Sequence, residues 1–179
     1  MPLPETFFSF LPLRYGATIG TLTVSAKNAA DGDDALWVPV WTKEGGQGNS
    51  WQAAIAYLAS DNYYRVSATR GAGNRGDIAI DSMNLVACTP APTLAPTNAG
   101  ELPICNFNAG FCDWTQGDTD DSFDWTLTSD VTPTSNTGPG TGSGHGRGAF
   151  IYIEANDQIE GAYAAITSSN TGCGLYRSQ

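Results

Sequence analysis

Histidine occurs once in this chain, methionine twice, and lysine plus arginine only 8 times in 179 residues. Each scarcity removes a class of function. Against 18 Asp and Glu the few basic residues leave a net charge of −10, and such a chain repels phosphate backbones, which excludes nucleic acid as a partner. No basic cluster marks an anionic membrane surface. No run reaches the roughly 20 apolar residues that span a bilayer, so direct membrane insertion by this segment is not expected. A lone His145 without a Ser or Cys nucleophile motif supplies no hydrolytic triad. Charged residues are sparse at 15%, whereas 21 Gly and 10 Pro are present, a balance that favours many turns and few long helices.

Period-2 alternation dominates what remains. Strand-like segments run over 19–24, 36–41, 51–58, 63–69, 77–86, 149–155, 163–167 and 173–177. Periodicity alone leaves the Ala-rich 51–58 as helix or strand, and its short length and flanking Asn and Ser favour strand. Pro39 cannot donate to a ladder and marks an edge or a bulge. No longer segment carries a helical stripe. The fold class is therefore all-β, a two-sheet antiparallel sandwich. Residues 89–104 form a Pro/Thr/Ala linker, expected to be extended, exposed and open to proteolysis. Residues 134–148, rich in Gly, Ser and Thr, read as a long surface loop.

Three groups could carry chemistry. Gly71-Ala-Gly73-Asn-Arg-Gly76 matches the dinucleotide fingerprint, but a strand-like Asp77-Ile-Ala-Ile follows instead of the helix N-terminus that receives a pyrophosphate. A Gly-rich hairpin turn is the better reading. Asp113, Asp118, Asp120, Asp121, Asp124 and Asp130 could serve as acid and base or as hard oxygen ligands, yet lack the EF-hand spacing. Turn formation explains them more simply. Trp37, Trp41, Trp51, Trp114 and Trp125 could offer platforms to a sugar, against the commoner role of aromatic packing. No catalytic residue and no cofactor emerges.

Charge is uneven: residues 1–88 hold 6 basic and 8 acidic residues, and 89–179 hold 2 and 10. Cys88, Cys105, Cys112 and Cys173 lack zinc-knuckle spacing, and an even count fits disulfides formed in an oxidising compartment. The apolar run Phe7 to Leu13 has early prolines and no basic residue before it, so it is not a signal peptide. The export signal is expected outside this chain.

Cys105-Asn-Phe-Asn-Ala-Gly-Phe-Cys112-Asp-Trp, Asp121-Ser-Phe-Asp-Trp125, Asn136-Thr-Gly-Pro139 and Phe150-Ile-Tyr-Ile-Glu-Ala155 follow one another in the second half. Together they resemble the opening half of a MAM domain (meprin, A5 antigen, receptor tyrosine phosphatase mu). Gly20-Thr-Leu22, Leu36-Trp37, Gly46-Gln-Gly48 before Trp51, and Gly76-Asp-Ile-Ala-Ile-Asp81, ending at Cys88, resemble the closing half. The closing half, 1–88, thus precedes the opening half, 105–179. Two accounts fit this order: a piece cut across a tandem repeat, or one circularly permuted domain. The halves hold 88 and 75 residues, about one module. Half a sandwich cannot bury a core, and a 16-residue linker reaching ~50 Å could cross a domain of about 15 Å radius of gyration.

The resemblance implies a jelly-roll-like sandwich acting outside the cell, secreted or in a membrane protein's ectodomain, in adhesion or homophilic contact. A protein partner is expected, with a glycan as alternative or a role as accessory domain in a larger protein. It implies a metal site in some members, built from the opening motif and the Asp pair near the end. Those positions read Asn108 and Asp81-Ser82 here, two acids short, so calcium binding is expected to be weak at most. It also implies cystines Cys105–Cys112 and Cys88–Cys173, worth about 2.5 and 4.6 kcal/mol by loop-closure entropy. Peptide mapping of the oxidised chain is expected to recover both. Free thiols at Cys88 and Cys173 would rule the long bridge out.

Overall fold

The computed structural model describes residues 6–32, 36–58, 62–86, 104–117, 120–140 and 148–168. Ten strands build it: β1 Thr6–Gly16, β2 Thr21–Asn28, β3 Val38–Glu44, β4 Ala54–Leu58, β5 Asn62–Thr69, β6 Gly76–Val86, β7 Trp114–Gln116, β8 Thr126–Thr128, β9 Phe150–Ile153 and β10 Tyr163–Ser168. The only helical element among the described residues is a single 3-10 turn, Ala29–Asp31. The strands form two five-stranded antiparallel sheets, ordered β4-β1-β6-β9-β8 and β3-β2-β5-β10-β7. This is the expected β-sandwich.

Alternation explains which face each strand buries. In β5, Tyr64, Val66 and Ala68 are fully buried while Tyr63, Arg65, Ser67 and Thr69 are partly exposed. In β2, Leu22, Val24 and Ala26 point the same way. From the other sheet Phe8, Phe10, Ile78, Ile80, Met83, Ile151 and Ile153 meet them in one core. Phe8 and Phe10 stack at 4.8 Å between ring centroids, and Trp41 meets Phe10 edge-on at 5.1 Å.

Both chain halves enter both sheets. In one, β6 takes β1 on one side and β9 on the other, with Ile80 paired to Ile151. In the other, β10 lies between β5 and β7, with Ile166 opposite Val66. Met83 also exchanges two backbone hydrogen bonds with Cys105, at 2.9 and 2.8 Å. Ile104 and Val86 therefore lie toward the same end of this ladder. The linker itself lies, apart from Ile104, outside the described residues, and so does the strand expected over 173–177.

Three further expectations need correction. The Gly71–Gly76 segment is a turn, but not a hairpin: it carries the chain from β5 in one sheet to β6 in the other. Glycine is required there because a Cβ on Gly20 would lie 1.9 Å from the Thr69 carbonyl oxygen, and one on Gly71 2.3 Å from that of Thr18. Phe7 to Leu13, unassigned from sequence, is the centre of β1; Pro12 is tolerated because β4 pairing ends at Phe10. The three-residue strands β7 and β8 are too short for alternation to reveal. Pro39 satisfies both expectations, lying on the edge strand β3 at a bulge where Val24 pairs Trp41 and Ser25 pairs Pro39.

Because Ile166 is fully buried beside Val66, a residue of the first half, Ile166→Ala is expected to cost about 2–5 kcal/mol. Urea unfolding should show one transition for the whole chain. Two separated transitions, only one moved by the substitution, would contradict a shared core.

Candidate functional site

Strand β6 is buried on both faces. Ile78 and Ile80 face the sandwich core, while Ala79 joins Leu13, Phe150 and Tyr152 in a second cluster, against which Tyr15 and Trp51 pack. Two irregular segments come to this outer side. The first, 47–52, is pinned to β1 at both ends: the Gln47 amide donates to the Arg14 carbonyl at 2.8 Å, and that of Gln52 to Pro12 at 3.0 Å. The second, 132–140, is pinned by the Gly138 amide donating to the Tyr15 carbonyl at 3.2 Å.

A buried carboxylate organises the second segment. Asp77 is fully buried and accepts from the Thr137 hydroxyl at 2.6 Å and the Ala155 amide at 3.3 Å. The Thr132 hydroxyl donates to the Thr137 carbonyl at 3.0 Å. Beside it, Glu154 Oε1 accepts from the Thr134 hydroxyl at 2.9 Å and the Asn156 amide at 3.3 Å. Burial, first of all, raises the Asp77 pKa above the ordinary aspartate value; the Thr137 hydrogen bond opposes this and the Glu154 charge adds to it. Between these segments lies a cavity of about 160 Å³ lined by Leu13, Asn49, Ser50, Trp51, Pro139 and Gly140.

The opening motif forms a short disulfide loop. Cys105 and Cys112 are bridged, with Cα atoms 6.0 Å apart. Phe107, fully buried, drives into the core, and Phe111 meets it edge-on at 6.3 Å. Cys88, Cys173 and His145 lie outside the described residues. Asn108 is exposed, and its side-chain oxygen accepts from the Ala149 amide at 2.8 Å. Asp81 is fully buried and accepts from the Ser82 amide at 2.6 Å; Ser82 has φ 55° at the bulge where β1 and β6 change register. Among the described residues no group of three His, Cys, Asp or Glu is placed to hold a metal ion.

The acidic run is a folded turn. Asp121 accepts from the Ala165 amide at 2.9 Å, and Asp120 pairs with Arg65 at 2.5 Å. Asp118 lies outside the described residues. The five tryptophans divide. Trp125, Trp114 and Trp41 belong to the core. Trp37 receives the Arg65 guanidinium at 4.4 Å and Lys27 Nζ at 5.3 Å over its ring. Trp51 meets Phe150 at 5.7 Å and lines the cavity.

One surface feature escaped the sequence. Strands β3 and β4 are the outermost strands of their sheets and lie against each other at one side of the sandwich. Along them Leu36 (85% exposed), Tyr57 (68%), Val38 (60%), Ile55 and Val40 face solvent. They are most of the large apolar side chains exposed among the described residues. Period-2 reasoning assigns each strand a buried face, and only the sheet order reveals that these strands have no outer neighbour.

Residues 105–173 match the family model of the MAM domain, meprin/A5/mu. MAM domain-containing protein 2 of Mus musculus is 36% identical over 84 residues, 46% of this chain and 11% of the relative. MAM domain-containing glycosylphosphatidylinositol anchor protein 1 of Homo sapiens is 34% identical over 79 residues, 43% of this chain and 8% of the relative. The matched stretch thus spans about a tenth of these curated relatives. No solved structure matches the chain significantly.

Between the ordinary aspartate range and its own raised pKa, native Asp77 still holds a proton that the unfolded chain has released. Stability therefore falls as pH rises through that window. Asp77→Asn is expected to flatten this fall in urea midpoints measured across the acidic range. An unchanged slope would show that Asp77 is not its source.

Proposed function

We propose that this chain is a non-catalytic extracellular recognition module within a larger secreted or membrane-anchored protein, and that it binds another protein or a second copy of itself. The observation that carries this reading is the apolar edge formed by β3 and β4. Exposed side chains of this size, gathered on adjoining edge strands, mark protein–protein contacts. The Cys105–Cys112 bridge supports an oxidising, extracellular setting. So does the similarity of 105–173 to the MAM domain, one of whose carriers is named for a glycosylphosphatidylinositol anchor.

We also read the chain as one permuted domain, 1–88 supplying the closing half and 105–179 the opening half. The mixed strand order and the Met83–Cys105 pairing support this account over a cut through a tandem repeat. Calcium plays at most a minor part: Asn108 offers a neutral oxygen already bonded to Ala149, and Ser82 a hydroxyl in place of a carboxylate.

Beads coated with the chain are expected to aggregate, and the double variant Leu36→Ser/Tyr57→Ser to abolish it. Because both residues are largely exposed, the variant should keep its stability to within about 0.5 kcal/mol. Aggregation unaffected by the double variant would remove the edge as the contact surface.

A further inference from the structure

We propose that the cavity between 47–52 and 132–140 is a binding subsite for one neutral pyranose unit of a glycan. The ligand class follows from what lines it. Its exposed surface is mainly polar: Asn49 and Ser50 offer an amide and a hydroxyl beside the Trp51 ring, and Leu13, almost wholly buried, lies beneath. Among the described residues none that lines it is charged, so nothing there is suited to phosphate, sulfate or a metal ion. A sugar ring suits such a mixture, having apolar C–H faces and a rim of hydroxyl groups. The volume, about 160 Å³, is that of a single ring rather than a chain.

The site is built before any ligand arrives. Trp51 is set at 71° against Phe150, which orients its ring. The Gln52 side-chain amide donates to the Ser50 hydroxyl oxygen at 2.7 Å, which directs the hydroxyl proton away from Gln52. The wall carrying Asn49 and Ser50 is held by the two hydrogen bonds to β1, and the wall carrying Pro139 and Gly140 through Gly138 and the Asp77–Thr137 pair. Preformed polar groups lose little entropy on binding. One wall comes from the first half of the chain and the other from the second, so the subsite exists only when both halves share one domain.

Gly140 allows a clean test. A Cβ there would find its nearest heavy atom, Asn49 Nδ2, at 3.8 Å, an ordinary contact reaching across the cavity. Gly140→Leu should fill the space without disturbing the backbone. Free hexoses and N-acetylhexosamines would be titrated individually into the isotopically labelled chain and followed by NMR. At least one is expected to bind at millimolar strength, shifting Asn49, Ser50, Gly140 and the Trp51 indole. Gly140→Leu and Asn49→Ala should each weaken it by about tenfold or more, with the unfolding midpoint kept. Trp37→Ala should leave it unchanged. Absence of shifts at these four residues with every sugar overturns the proposal, as does binding that survives Gly140→Leu. Displacement of the sugar signals by an uncharged peptide that binds the cavity alone would likewise overturn it in favour of a peptide-side-chain pocket. Bead aggregation through Leu36 and Tyr57 is read separately, so either conclusion can fail without the other.

Discussion

Strand β6 has no water on either face, and most of the molecule is arranged to keep it so. Ile78, Ala79 and Ile80 are successive residues, all fully buried. A strand in an antiparallel sandwich ordinarily buries alternate residues only, because its outer face meets solvent. Here the outer face is roofed by Trp51 and by the loop that Asp77 holds down. The same strand pairs with β1 from its own half and β9 from the other. Removing either neighbour would expose an apolar strip and a row of unpaired backbone groups together.

Asp77 shows what that arrangement costs. A fully buried carboxylate is unfavourable unless its oxygens are bonded, and here a threonine hydroxyl and a backbone amide do this from segments far away in sequence. The carboxylate thereby fixes the 132–138 loop, and the loop in turn roofs the outer cluster and forms one wall of the cavity. A polar group in the interior thus acts as a positional device: an apolar residue at 77 could fill the volume but could not hold the loop in one place.

The apolar edge follows a different logic. Open edges invite uncontrolled strand pairing, and β3 carries standard deterrents: Pro39, a bulge, and exposed Lys43 and Glu44. The exposed apolar side chains nevertheless remain beside them. Backbone pairing is discouraged while side-chain contact is left available, which suits a surface meant for a specific partner rather than for aggregation.

Alternation determined the all-β class and the positions of β2, β3, β5, β6, β9 and β10, since successive side chains of a strand point to opposite faces, and short length with flanking Asn and Ser placed β4. Pro39 announced its edge because a missing N–H has only a few permitted places in a sheet. The Cys105 to Cys112 motif marked its loop through the resemblance it carries. Tertiary structure decided the rest. That Leu36 and Tyr57 lie beside two outermost strands became visible only in the structure, because sheet order is a matter of long-range pairing that no local pattern encodes. Asp77, Thr137, Trp51 and Gly140 lie far apart along the chain, and as single residues each reads as an ordinary strand, turn or core position. They become one site because β6, with both faces dry, draws a loop from each half of the chain onto its outer side.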